Sequence, residues 1–129
     1  MDYYNYQEEH PLLAYDDMIK SSRYTTLDKI QHIKPGGIFS SVVLINNIKE
    51  VVDAKYHDQI AYVEVEDLTG RQEVIFFPLT YSVYRNILKE GEIFCLTCSR
   101  DISEIYTNAN ECQNIKVIGL AIEHLDKKE

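Results

Sequence analysis

The stretch that most constrains this chain runs from Ile60 to Pro78: I-A-Y-V-E-V-E-D-L-T-G-R-Q-E-V-I-F-F-P. Apolar and polar residues alternate through Ala61, Val63 and Val65, and again through Val74 and Phe76. A period of two is what a strand with one buried face imposes. Between the runs sits Asp67-Leu68-Thr69-Gly70, a turn cluster whose glycine can take positive φ without a Cβ clash. The pattern predicts a β-hairpin. Val63, Val65, Val74 and Phe76 face a core, and Tyr62, Glu64, Glu66, Arg71, Glu73, Ile75 and Phe77 line the other side.

A hairpin alone cannot bury its apolar face, so its partners must come from the flanking sequence. The chain has 129 residues, enough for a single domain that removes roughly two thirds of its unfolded surface from water. Residues 1–36 read as a helical brace or linker and residues 37–129 as the domain proper. Pro11 with Leu12, Leu13, Tyr15, Met18 and Ile19 predicts a short amphipathic helix from about Pro11 to Lys20. Thr25 to Ile30 predicts a second helical turn with Thr26 as its cap, ended by Pro35-Gly36-Gly37. From Gly37 to Val52 the β-branched run I-F-S-S-V-V-L-I-N-N-I-K-E-V-V predicts a long first strand, bent at Asn46-Asn47.

A polar loop from Asp53 to Asp58 leads into the hairpin. Pro78 stops strand pairing, and apolar residues at 81, 84, 87 and 88 mark a helix closed by Gly91. Glu92 to Arg100 predicts a fourth strand, Asp101 to Gln113 a polar loop, Ile115 to Ile122 a fifth strand, and Asp126 to Glu129 a charged tail. Three strands, a helix and two strands is the connectivity of the OB-fold, a five-stranded all-β Greek-key barrel. Another small barrel or a split α+β sheet are the alternatives. A helix after the third strand, placed to plug one barrel end, favours the first.

Composition narrows the function. A hydrophobic content of 45% with 26% charged residues is that of a soluble globular protein. No apolar run reaches the roughly 20 residues of a membrane helix, and the acidic, Tyr-rich start lacks the order of a signal peptide. The three cysteines are an odd number and fit a reducing compartment. The expectation is a cytoplasmic protein without membrane association. A net charge of −8 lacks the basic footprint by which nucleic-acid binders release counterions. Contact with a polyanion must come from local clusters, or the partner is a protein.

The string A-Y-V-E-V-E-D-L-T-G-R-Q-E-V-I-F-F-P, followed by Tyr81, Tyr84, Leu88 and Glu90-Gly91, resembles the C-terminal OB domain of bacterial DNA polymerase III alpha subunits. His10-Pro11-Leu12 with Tyr15 and Thr25-Thr26 resembles the segment just upstream of that domain, and A-I-E-H-L-D its last strand. The likeness spans nearly the whole chain. It implies a non-catalytic module that guides single-stranded template near the replicative polymerase; the palm domain with its metal-binding carboxylates has no counterpart here. The net charge of −8 motivates the alternative, an acidic module that docks a basic replication protein without binding DNA. The chain departs from the family between Ile45 and Asp58, where only Lys49, Lys55 and His57 stand against Glu50, Asp53 and Asp58, and in strand four, where Thr97 and Cys98 replace small residues. An OB domain for tRNA would share only the looser D-x-T-G.

OB-folds hold single strands on the face of strands two and three and on the loops joining strands one to two and four to five. Mapped onto this sequence, Tyr62 and Phe77, with Tyr56 and Tyr106 from the loops, are the stacking candidates. Lys49, Lys55, Arg71 and Arg100 are the phosphate candidates, and Asn108 and Asn110 the candidates for base edges. Glu64, Glu66 and Glu73 on the same face oppose a phosphate. The alternative is that Tyr62 and Phe77 pack beneath the N-terminal brace.

Cys95-x-x-Cys98 on a strand sends its thiols to opposite faces, so no shared metal is expected. The histidines at 10, 32, 57 and 124 have no metal spacing, and His10 reads as a capping or packing residue. Asp67 and Thr69 read as satisfying turn amides. Tyr3, Tyr4 and Tyr6 read as a partner patch or as cover for the barrel wall. No cofactor and no small-molecule substrate are expected.

Overall fold

A computed structural model describes residues 10–55, 57–102, 106–108, 111–112 and 115–125, with backbone alone for 106–108 and 111–112. The strands are β1 (Ile38–Val52), β2 (Gln59–Asp67), β3 (Gly70–Phe76), β4 (Ile93–Arg100), β5 (Tyr106–Asn108), β6 (Glu111–Cys112) and β7 (Val117–His124). Five of them close into a barrel in the order β1-β2-β3-β7-β4, and β4 returns to β1. The seam is a short parallel pairing of β3 with β7, at Val74–Val117 and Ile75–Ile118. This is the OB-fold architecture, with the minor helices at its ends. β5 and β6 form a small separate ladder inside the segment predicted as a polar loop.

β1 reaches around the barrel because it bends. Its first half pairs with β4 and its second with β2, and the register slips between Ile45 and Asn47. The bulge falls at the Asn pair, where one extra residue turns a strand and sharpens its twist. Alternation does the rest. Val43, Ile45, Val63, Val65, Val74, Phe76, Phe94, Leu96 and Val117 fill the interior, each at most 1% exposed, and each such side chain contributes roughly 1.5–3 kcal/mol by leaving water. Gly119 sits where the ring of Phe76 lies; a Cβ there would meet ring atoms at 2.4 Å.

Both barrel mouths are plugged. Helix α2 (Pro78–Tyr84) starts with proline at its first turn and covers one mouth with Tyr81 and Tyr84, joined by Leu88 from the turn that follows it. It is shorter than the predicted span, and the chain then turns at Gly91, φ +87°. The Tyr81 hydroxyl donates to Glu50. Burial first, and this carboxylate second, push the Tyr81 hydroxyl up to about 12. A 3₁₀ turn, Leu27–His32, fills the opposite mouth with Leu27 and Ile30.

The predicted first helix is a 3₁₀ turn, Pro11–Tyr15, running into one α turn, α1 (Asp16–Ile19). His10 caps it: its Nδ1 accepts from the Leu12 N–H at 3.1 Å. Thr26 occupies the cap position before Leu27 without a side-chain cap bond; its hydroxyl donates to Asp28 at 2.6 Å instead. Leu12 and Ile19 pack on Val42 together with Tyr24, Leu44 and Ile93. This brace therefore lies on the outside of β1 and β4. Cys95 is buried on that side, near Tyr24, whereas Cys98 points into the barrel core. Burial raises both thiols, Cys98 to about 12. Among the described residues no helix is long and apolar enough to cross a membrane.

Candidate nucleic-acid interface

The outer wall of β1, β2 and β3 is set by register. Lys49 on β1 stands opposite Tyr62 on β2, Tyr62 opposite Ile75 on β3, and Ile75 level with Ile118 on β7. Phe76 is fully buried, so Phe77, extended at φ −73° and ψ 166°, turns to the outside as the next residue. Tyr62 and Phe77 are half-buried, and neither belongs to the barrel core or to the cluster under the brace. The described part of the brace packs on the β1–β4 side and does not cover them. Ile75 lies on the outer wall as predicted but is only 8% exposed.

Lys49 is exposed and forms no ion pair with another described residue. Lys55 is exposed in the loop between β1 and β2, where its backbone N–H donates to Asp53 at 2.9 Å. That loop is tight: Asp53 and Asp58 bond across it at 2.9 Å, and His57 sits at φ 55°.

Towards the hairpin turn the wall becomes acidic. Glu64 and Glu73 face each other directly across β2 and β3, an arrangement that costs stability unless a cation intervenes. Arg71 relieves it from the Glu64 side, with Nη1 3.5 Å from Glu64 and Nε 3.5 Å from Glu66. Glu66 also accepts from Asn46 at 2.7 Å and pairs with His10 Nε2 at 2.8 Å. His10 Nδ1 is already an acceptor, so the hydrogen that reaches Glu66 is on Nε2. The Asn46 and His10 hydrogen bonds, in that order, hold the Glu66 carboxyl below its usual range.

The turn does more than close the hairpin. Asp67 Oδ1 accepts from the Thr69 N–H at 2.8 Å, the Thr69 hydroxyl at 2.6 Å and the Gly70 N–H at 3.1 Å. Its Oδ2 accepts from the Leu27 N–H at 2.8 Å, and Thr69 Oγ1 from the Asp28 N–H at 3.1 Å. The D-x-T-G turn thus caps the 3₁₀ turn that plugs the barrel.

Arg100 requires a correction. It was expected at a phosphate, but it is 5% exposed and its Nη1 donates to the carbonyls of Ile30, Gln31 and Ile33 at 3.3, 2.9 and 2.6 Å. A guanidinium that ends a buried helical turn in this way is not open to a strand. Arg71 is exposed but shared between two carboxylates, which lowers what it can offer a phosphate. Tyr56 and Asn110 lie outside the described residues, as do Tyr3, Tyr4 and Tyr6; for Tyr106 and Asn108 only the β5 backbone is described. Sequence reasoning missed Ile118 and Leu120, which extend the wall onto β7 with Leu120 40% exposed. Nothing local to residues 115–122 announces that they lie beside β3.

No protein-family model matches the chain. Two curated relatives do. The chain is 26% identical over 133 aligned positions to DNA polymerase III subunit alpha of Borreliella burgdorferi, covering 95% of this chain and 11% of that protein. It is 28% identical over 127 positions to DNA polymerase III subunit alpha of Halalkalibacterium halodurans, covering 96% of this chain and 10% of that protein. The chain spans about a tenth of the length of these relatives. Across nearly all of its own length, then, this OB-fold barrel with its bound brace is similar to a short portion of DNA polymerase III alpha subunits.

Proposed function

We propose that the chain is a non-catalytic OB-fold module of DNA replication, acting in the cytoplasm, that contacts single-stranded DNA with the outer wall of β1–β3. The observation that carries this is the half-buried pair Tyr62 and Phe77 with the exposed Lys49 beside Tyr62, outside the cluster the brace packs on and away from the Glu66 end of the wall that His10 touches. Aromatic rings that belong to neither packed cluster offer bases a stacking surface worth roughly 1–3 kcal/mol each. The similarity to polymerase III alpha subunits supports the replication setting.

Fluorescence anisotropy of a labelled oligo-dT at low salt tests the reading. Binding in the range of tens of micromolar or tighter is expected, with a loss of about tenfold or more when Tyr62→Ala and Phe77→Ala are combined. No binding in that range, or binding indifferent to the double substitution, overturns it.

The facing Glu64–Glu73 pair favours a second reading, in which the acidic end of the wall docks a basic replication protein. A stoichiometric partner captured from cell extract, resistant to nuclease and lost with Glu64→Gln and Glu73→Gln, would support that reading.

A further inference from the structure

This inference rests on the wall being a single-strand site. We propose that the wall takes an unpaired strand by its bases, with the phosphates turned to solvent, so that recognition depends little on backbone charge. The wall is divided along the strands. One end carries Tyr62, Phe77 and Ile118 around the buried Ile75; the other carries Glu64 and Glu73 face to face, with Glu66 beyond. Arg71 is within 3.5 Å of both Glu64 and Glu66, and its charge is shared between them. Among the described residues of β1, β2 and β3 on this wall, Lys49 is the cation without a carboxylate partner.

A strand whose phosphates tracked the wall would run from Lys49 into the paired glutamates. Bases laid on the aromatic end avoid them, because every base has a π-face and needs no neutralising partner.

Counterion release makes the consequence measurable. For single strands the logarithm of affinity falls with the logarithm of salt at about 0.7 per neutralised phosphate. At most two phosphates, at Lys49 and at Lys55 in the neighbouring loop, predict a loss of no more than about sevenfold between 50 and 200 mM salt; five would predict about a hundredfold.

The test uses the unaltered chain with two thymine oligomers of equal length, one phosphodiester and one with an uncharged methylphosphonate backbone, titrated by anisotropy at both salt concentrations. The uncharged oligomer is expected to bind at least as tightly as the phosphodiester, with both weakened by Tyr62→Ala. Glu64→Gln with Glu73→Gln is expected to tighten the phosphodiester and leave the uncharged oligomer unchanged. A phosphodiester that binds tenfold or more tightly than the uncharged oligomer, with a steep salt dependence, overturns the inference while the single-strand reading stands. Binding of neither oligomer overturns both.

Discussion

Asp67→Ala should be among the most damaging single substitutions in the molecule. Asp67 is 5% exposed and accepts four hydrogen bonds, from the Thr69 N–H and hydroxyl, the Gly70 N–H and the Leu27 N–H. The Thr69 and Gly70 donors lie at an exposed turn, where water can replace the carboxylate, so each costs about 1 kcal/mol or less. The Leu27 bond is buried. Stranding that amide costs its desolvation, about 1–3 kcal/mol. The sum is about 3–5 kcal/mol, a large part of the roughly 5–15 kcal/mol that holds a domain together.

Asp67→Asn keeps one acceptor and turns an N–H₂ group towards remaining donors, so it should cost about half as much. Thr69→Val, which loses the Asp28 contact and the hydroxyl bond to Asp67, should cost about 1–2 kcal/mol. Urea unfolding reads these values. With a slope of about 2 kcal/mol per molar, Asp67→Ala should move the midpoint by about 2 M with the slope unchanged. Native-state hydrogen exchange should locate the damage at the Leu27 and Asp28 amides. A midpoint shift under about 0.5 M, or full protection of the Leu27 amide in the variant, would refute the cap between turn and plug.

Three other outcomes follow from the same structure. Gly119→Ala drives a Cβ to 2.4 Å from the Phe76 ring; calorimetry should show about 1–3 kcal/mol of destabilisation, partly relieved by Phe76→Leu in the same chain. Arg100→Met leaves the carbonyls of Ile30, Gln31 and Ile33 without their donor, at a cost of about 2–4 kcal/mol by denaturant titration, and Arg100→Lys should recover only part because its shorter side chain ends about one bond short of the position from which Nη1 reaches all three. Glu66 has a folded-state pKa below its ordinary 4.5. Its contribution is therefore complete above that pH and is lost as pH falls through the lowered folded value, so Glu66→Gln should flatten the acid limb of the stability curve below about pH 4.5 and leave its shape near neutrality unchanged.

Much of the barrel was legible because a period of two is a local property. Each strand of the hairpin, the bend at Asn46-Asn47 and the stop at Pro78 can be read within a few residues. Asp67 and Thr69 were legible as turn residues for the same reason. Their second role was not, because the Leu27 N–H lies forty residues upstream. Arg100 misled most: Ser99-Arg100-Asp101 reads as a polar strand end, and only the 3₁₀ turn folded over it turns the guanidinium inward. Tyr62 was readable as outward-facing. That the brace packs on β1 and β4, and leaves Tyr62 and Phe77 outside its cluster, was not.

Sequence by itself determined the strands, the hairpin with its turn, the helix after β3 and the excess of negative charge, since each depends on side-chain type and spacing along the chain. The tertiary structure alone decided which strands meet across the parallel seam, which wall the brace covers, and which cations remain unpaired once Arg71 is shared and Arg100 buried. Those outcomes are set by contacts between segments far apart in the chain, and neither periodicity nor composition carries that information.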